Sequence, residues 1–176
     1  GEPPFAFDLS FDPLRIRPGG SYGLHASLRL PDGELAFITE SARQPGHRLT
    51  LAMLLKSFQR LGYFPAIDDV PAAVVRHLRN ALRFRVQIKP ADIAANKRYR
   101  YFQRIRTYLQ VRAYADGGLD VAARAIHEAA AVMDNPADLI NVAIEQLVRD
   151  RIELPAFSAL DRLARRIRTL VNGRYF

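Results

Sequence analysis

The sequence contains no cysteine and no tryptophan, and it has no long apolar run. The absence of cysteine excludes disulfides, thiolate nucleophiles and zinc sites built on sulfur, and it fits a reducing compartment. No apolar stretch approaches the roughly 18–20 residues of a membrane span, and residues 1–4 show no signal-peptide pattern. We therefore expect a cytoplasmic protein that does not bind membranes. Its 176 residues are enough to bury a hydrophobic core.

Signatures of catalysis and metal binding are also missing. The histidines stand alone, without the spacing of metal ligands, at His25, His47, His77 and His127. There is no phosphate-binding loop of the type GxxxxGK[ST] and no GxSxG motif. The pair Asp68 and Asp69 lies at a predicted helix start, where capping accounts for both carboxylates. We expect no catalytic residue, no metal site and no cofactor.

Positive charge is abundant and unevenly distributed. The chain carries 26 Lys+Arg and 18 Asp+Glu, a net charge of +8. Residues 1–47 have a net charge of −2 and residues 48–176 one of +10. Nearly all the cations of the second part are arginines, whose guanidinium group binds phosphates and guanine edges in a forked geometry. This distribution indicates a polyanionic partner, although arginine usage in a GC-rich genome is an alternative explanation.

Apolar periodicity predicts a mainly α-helical fold, a bundle of about six helices with a short N-terminal β-strand segment. Gly62 is placed to end the first clear helix, and Asp68 or Asp69 to cap the second. The clear helices span about residues 47–61, 68–82, 95–115, 120–133, 136–151 and 158–172.

The last two helices have the clearest start signals. Asn135 followed by Pro136 is a strong helix start, and the helix that follows is apolar almost all round, which indicates a buried central position. Ser158, with Asp161 three residues later, resembles a short capping box and is expected to start the last helix.

Residues 1–31 have the alternation of β-strands, with Phe5, Phe7, Leu9 and Phe11 on one face. A second predicted strand has its apolar side chains on one face at Tyr22, Leu24, Ala26, Leu28 and Leu30. Two such strands cannot cover their own apolar face, so they would form part of a sandwich or a hairpin. Residues 33–43 fit either a helix capped by Asp32 or a strand over residues 34–39, and the pattern slightly favours the helix. The chain therefore divides into a β-rich segment, residues 1–43, and a helical domain, residues 44–176.

The predicted helix of residues 95–115 is the strongest candidate for a binding site. Residues 97–112 contain six basic side chains and no acidic one. Helical spacing places Phe102, Ile105 and Leu109 on a core face and aligns a cationic ridge, Lys97, Arg100 and Arg104, on the opposite side. Six like charges repel one another unless a polyanion or nearby carboxylates offset them. The candidate DNA-binding residues of this helix are Lys97, Arg98, Arg100, Arg104 and Arg106.

The last helix repeats this arrangement in a weaker form. Leu160, Leu163, Ile167, Leu170 and Val171 are expected to face inward. The outward face supplies further candidate DNA-binding residues, Arg162, Arg165 and Arg166, and Asp161 can pair with Arg165 four residues later. An alternative for all these arginines is a helical protein-interaction module that binds an acidic partner.

Several segments resemble the amino-terminal region of the Tn-three family transposases. They are RLTLAMLLKSFQRLGYFP (residues 48–65), VPAAVVRHL (70–78), RIRTYL (104–109), MDNPADLIN (133–141), ELPAFSALDRL (153–163) and RTLVN (168–172). The resemblance implies a helical region that recognises the terminal inverted repeats of a transposon in double-stranded DNA and is associated with the nucleoid. In that family a separate carboxy-terminal domain is catalytic, so no catalytic residue is carried over. That domain and a second transposase copy are the other implied partners.

Residues 7–26, FDLSFDPLRIRPGGSYGLHA, instead resemble part of a YbaY-like lipoprotein domain, a β-sandwich related to type III secretion pilotins. The match would supply two or three strands of a sandwich that needs about seven. It suggests a fusion of two unrelated segments, either natural or arising as an insertion scar or an assembly artefact, with the join between Pro31 and Arg43.

Overall fold

The structure is a computed structural model that describes residues 28–173. These residues belong to two compact units, residues 28–108 and residues 109–173. The described range is mainly helical, with seven α-helices and a single isolated β-bridge. The strands predicted within residues 1–27 lie outside the described residues.

The unit of residues 28–108 is built around one buried helix. Its helices are α1 (Asp32–Ser41), α2 (Pro45–Leu61), α3 (Ala72–Ala81) and α4 (Ala95–Leu109), with a 3-10 turn at Ile67–Asp69 before α3. Helix α2 is buried along most of its length, including Leu49, Leu51, Met53, Leu54, Leu55 and Phe58, and it packs against α1 and α3. The observed helix α1 confirms the helical interpretation of this segment, but it begins at Asp32 after Pro31 without a side-chain cap and ends at Ser41, so Asp32 is not the cap.

The ends of α2 and α3 test the capping predictions. Gly62 follows α2 with φ 76°, a left-handed conformation that glycine adopts without strain, and its N–H donates to Phe58 O. The prediction that Asp68 or Asp69 caps the second predicted helix, α3, is wrong. Both lie in the 3-10 turn, and α3 begins after Pro71 without a side-chain cap.

Helix α4 ends at Leu109, six residues before the predicted end. Gln110 has φ 55°, which breaks the helical path, and the chain continues into a short parallel bridge with residues 151–153. Arg112 N donates to Arg151 O at 2.9 Å, and Glu153 N donates to Arg112 O at 2.9 Å. Because these backbone groups pair between segments, residues 110–115 are not helical.

The unit of residues 109–173 contains three helices that all contact one another: α5 (Gly118–Ala129), α6 (Pro136–Arg149) and α7 (Phe157–Asn172). The Asn135 side chain accepts from Ala137 N at 3.0 Å and Pro136 opens α6, which confirms that helix start. Buried alanines of α5 allow close packing in a core formed by Ala122, Ile126, Leu139, Ala143, Leu147, Leu160, Ala164 and Ile167.

Several details of these three helices differ from the sequence prediction. Helix α5 ends at Ala129, before the predicted end at residue 133. Helix α7 begins at Phe157 after Ala156 and Pro155, so Ser158 lies inside its first turn and is not the cap. Leu170 is 59% exposed, because it lies at the flank of the buried face in the last turn of α7, while Ala164 joins the core.

Within residues 28–173 there is neither a membrane-spanning helix nor a metal-binding cluster. No helix in this range is long and apolar enough to cross a membrane. The same residues contain no group of three or more His, Asp or Glu side chains placed to hold a metal ion.

Candidate nucleic-acid interface

The cationic ridge of α4, Lys97, Arg100 and Arg104, is exposed. Among residues 28–173, no carboxylate forms an ion pair with any of the three. Arg104 Nη1 donates to the Ser41 carbonyl at 3.3 Å, and Lys97 Nζ lies 3.4 Å from His47 Nε2. Both contacts are with uncharged groups, so the positive charge of the ridge is not neutralised within this part of the chain.

The buried side of α4 is rotated relative to the sequence prediction. Tyr101 is only 4% exposed and joins Ile105 and Leu109 in the core, whereas Phe102 is half-buried. Tyr101 is four residues after Lys97 and three before Arg104, so it shares a side of the helix with them. The ridge therefore borders the buried face and does not lie directly opposite it. Burial raises the pKa of the Tyr101 hydroxyl, while the neighbouring Arg104 charge lowers it.

A groove results from this placement, within the unit of residues 28–108. The ridge forms one wall, and the junction of α1 and α2 forms the other. The groove has a volume of about 340 Å³, and its lining contains no acidic residue: Ser41, Ala42, Arg43, Gln44, His47, Lys97, Arg100, Tyr101 and Arg104. Four cationic side chains thus meet an open space that contains no carboxylate.

The segment that precedes α4 is fixed to the first turn of α2. Ala91 N donates to Gly46 O at 3.1 Å, and the buried Thr50 hydroxyl lies within hydrogen-bond distance of Gly46 O and Ala91 O, at 3.1 and 3.0 Å. A Cβ at position 46 would lie 3.0 Å from Lys89 O, so glycine permits this close approach. These contacts place the start of α4 beside the α1–α2 junction.

We expect Thr50→Val to destabilise this arrangement. The substitution keeps the shape but removes the buried hydroxyl that contacts the part-buried Gly46 and Ala91 carbonyls, which costs about 1–3 kcal/mol of unfolding free energy. Urea denaturation followed by circular dichroism measures the loss. Thr107→Val, at an exposed position of α4, is the matched control and should change stability little. Equal stability of the two variants would show that the Thr50 hydroxyl does not hold this segment.

His47 is the histidine in the lining of the groove. Its half-buried position lowers the pKa of the imidazole, and the neighbouring Lys97 ammonium lowers it further. An ammonium can only donate, so the contact with Lys97 requires Nε2 to accept and leaves the proton on Nδ1. Nδ1 is buried and has no hydrogen-bond partner within the described residues. Burial and the Lys97 charge both lower the pKa of His47, so both favour the uncharged imidazole.

The other two candidates on α4 are placed differently from the ridge. Arg98 is exposed, and its Nη2 donates to the Ile93 carbonyl at 3.3 Å. Arg106 is half-buried, with its guanidinium 5.4 Å from the centroid of the Phe64 ring and 5.9 Å from that of Phe102. These two rings are stacked at 4.0 Å, so Arg106 is part of a cation–π arrangement on another side of α4.

The candidate arginines of α7 belong to the other unit. Arg162 and Arg166 are exposed. Arg165 Nε contacts Asp161 Oδ1 at 2.9 Å, which confirms the predicted pair, and the hydrogen bond to Asp161 raises the pKa of Arg165. Two of the three α7 candidates are therefore not engaged in an ion pair with a carboxylate of the described chain.

The two units differ strongly in net charge. Residues 28–108 contain fifteen basic and six acidic side chains, a net charge of +9. Residues 109–173 contain eight basic and nine acidic side chains, a net charge of −1. The electrostatic attraction for a polyanion is therefore concentrated in the unit that contains the groove.

Sequence reasoning did not single out Arg43 or His47 as site residues. Arg43 lies in a region of net negative charge, and His47 has no neighbours at ligand spacing. The sequence signal that could have found them is the short connection between α1 and α2, which contains a cation but no acidic residue at the start of a helix. Only the tertiary contact with α4 brings them to the ridge.

Comparison with known proteins identifies a family but no characterised relative. No curated protein and no solved structure matches the chain. The sequence model of a domain of unknown function, DUF4158, matches residues 20–167. The match covers the described helices of the first unit and most of the second, and the proposed join between Pro31 and Arg43 lies inside it. The chain belongs to the DUF4158 family.

Proposed function

We propose that the unit of residues 28–108 binds duplex DNA through the ridge of α4. The supporting observation is the exposed set Lys97, Arg100 and Arg104, which has no carboxylate partner in the described chain and lies in a unit of net charge +9. Clustered cations gain affinity for DNA because binding releases condensed counterions from the phosphate backbone. Exposed arginines on one side of a helix are suited to this role.

The wider proposal is that the chain is the DNA-recognition part of a transposase. The segments that resemble the Tn-three family transposases support it, and they imply terminal inverted repeats as the target and catalysis by a separate domain. Under this proposal the chain has no catalytic activity of its own and works at the nucleoid. Arg162, Arg165 and Arg166 of α7 are secondary candidates, since their unit has a net charge of −1.

We expect the chain to bind a fluorescein-labelled, mixed-sequence DNA duplex with strongly salt-dependent affinity. Each phosphate contact contributes about −0.9 to the slope of log K against log salt, so the three ridge cations predict a slope of about −3. Fluorescence anisotropy between about 50 and about 200 mM potassium chloride measures it.

A polyglutamate peptide is the competitor for the rival function, binding of an acidic protein partner. If polyglutamate displaces the duplex at equal charge concentration, or if the chain does not bind the duplex, the DNA-binding proposal is wrong.

A further inference from the structure

The groove between the α1–α2 junction and α4 brings together cations from two separate parts of the chain. Arg43 comes from the connection between α1 and α2, while Lys97, Arg100 and Arg104 come from α4. Arg43 and Arg100 are exposed and form no hydrogen bond or ion pair within the described residues. Two guanidinium groups on opposite walls are therefore available to one anion in the groove.

We propose that this groove seats a backbone phosphate of duplex DNA, with Arg43 and Arg100 as its donors and His47 as a proton-dependent third donor. The inference rests on the proposed DNA-binding function and assigns to it two residues outside the ridge. The groove has room for a phosphate group in its volume of about 340 Å³. The first turn of α2 lies at the groove and contains no acidic side chain, so no carboxylate of this turn repels an anion.

The arrangement of the ridge favours a polymer of phosphates over an isolated carboxylate. Lys97, Arg100 and Arg104 follow one another at about one helical turn, which is about 5.4 Å along the helix axis. Such a row provides one cation for each of several anions in sequence. Arg43 adds a cation on the opposite wall of the groove. A phosphate in the groove can therefore contact cations on both walls.

His47 makes the binding of a phosphate in the groove depend on pH. With the groove empty, the Lys97 ammonium and burial favour the neutral imidazole, and Nε2 accepts from Lys97. The charged groups that face His47 across the groove are Arg43, Lys97, Arg100 and Arg104, and the lining includes no carboxylate. A bound phosphate supplies the missing negative charge, so it favours the imidazolium form, and Lys97 and His47 can then both donate to phosphate oxygens.

This linkage fixes the sign of the pH effect. Phosphate binding raises the pKa of His47, so binding is accompanied by proton uptake at His47. Affinity for DNA must therefore increase as pH falls through the pKa of the complex toward that of the free protein. Between about pH 7.5 and about pH 5.5, where histidine changes its charge, wild-type protein should bind the duplex more tightly at the lower pH.

The test uses the full chain and the mixed-sequence duplex at constant salt. Arg43→Ala should lower affinity roughly tenfold and reduce the salt slope by about 0.9, the effect of one lost phosphate contact. Arg85→Ala is the matched control, since Arg85 is exposed, belongs to the same unit and does not line the groove. His47→Gln should abolish the gain in affinity at low pH, whereas His127→Gln, at an exposed position of α5, should keep it.

The possible results separate this inference from the proposed function. If wild-type protein binds the duplex but Arg43→Ala and Arg85→Ala weaken binding equally, the proposal that the groove binds a phosphate is wrong, while the proposal of DNA binding stands. An unchanged pH response in His47→Gln likewise removes His47 from the seat. If wild-type protein does not bind the duplex at either pH, the proposed function itself is wrong.

Discussion

Replacement of Arg100 and Arg104 together by glutamate should weaken binding of the mixed-sequence duplex by about 100-fold at about 0.1 M salt. If the salt dependence of about 0.9 per contact is extrapolated to 1 M salt, the loss of two phosphate contacts alone lowers the affinity roughly 60-fold at about 0.1 M salt. The introduced carboxylates add repulsion. The salt slope should fall by about 2, because two fewer counterions are released. Both side chains are exposed, so the helical content should not change.

The matched control is Arg162→Glu with Arg166→Glu on α7. It makes the same change of charge at the same spacing of four residues, again at exposed positions, but in the unit of net charge −1. We expect a much smaller loss of affinity from this pair. Equal losses would mean that binding responds only to total charge, and the ridge of α4 would no longer be the interface.

The second large effect concerns the buried ion pair between α1 and α2. Lys56 Nζ lies 2.5 Å from Glu34 Oε2, both side chains are at most 5% exposed, and Gln59 donates to Glu34 Oε1 at 2.7 Å. Lys56→Met should lower the unfolding free energy by about 3–5 kcal/mol, because the Glu34 carboxylate would remain buried without its cation. Urea denaturation measures this loss.

The double variant Lys56→Met with Glu34→Gln separates charge burial from simple loss of packing. A neutral amide at position 34 can still accept the hydrogen bond from Gln59, and no uncompensated charge remains. We therefore expect the double variant to recover most of the lost stability. If it is as unstable as Lys56→Met alone, packing around the Lys56 methylene groups is the main contribution, and the ion pair is not.

Local signals predicted the helices well, while contacts distant in sequence decided where they end. The Asn135 cap, the left-handed Gly62 and the long apolar stripe of α2 are all encoded within a few residues, and each was predictable. The end of α4 depends instead on the pairing of Arg112 with Ile152, forty residues away. No periodicity within residues 95–115 could have indicated that partner.

The same distinction applies to the candidate site. The composition of residues 97–112 predicted the ridge, because six cations without a carboxylate are visible in the sequence, and five of them lie in α4. The orientation of the ridge depended on the burial of Tyr101. The sequence does not show this burial, because a tyrosine side chain is amphipathic and its ring can be buried or can lie at the surface. Arg43 and His47 joined the site only through folding, which places a short connection beside a helix that begins about fifty residues later.

Gly46 bears no charge and does not line the groove, but the position of the groove walls depends on it. The distance between the first turn of α2 and the chain leading into α4 is set where Lys89 O approaches position 46, so a single methyl group there would move one wall of the groove relative to the other. The separation of the guanidinium groups on the two walls would then change although every cation remained. The distance between the two cationic walls therefore depends on backbone clearance at position 46 as well as on the side chains that line the groove.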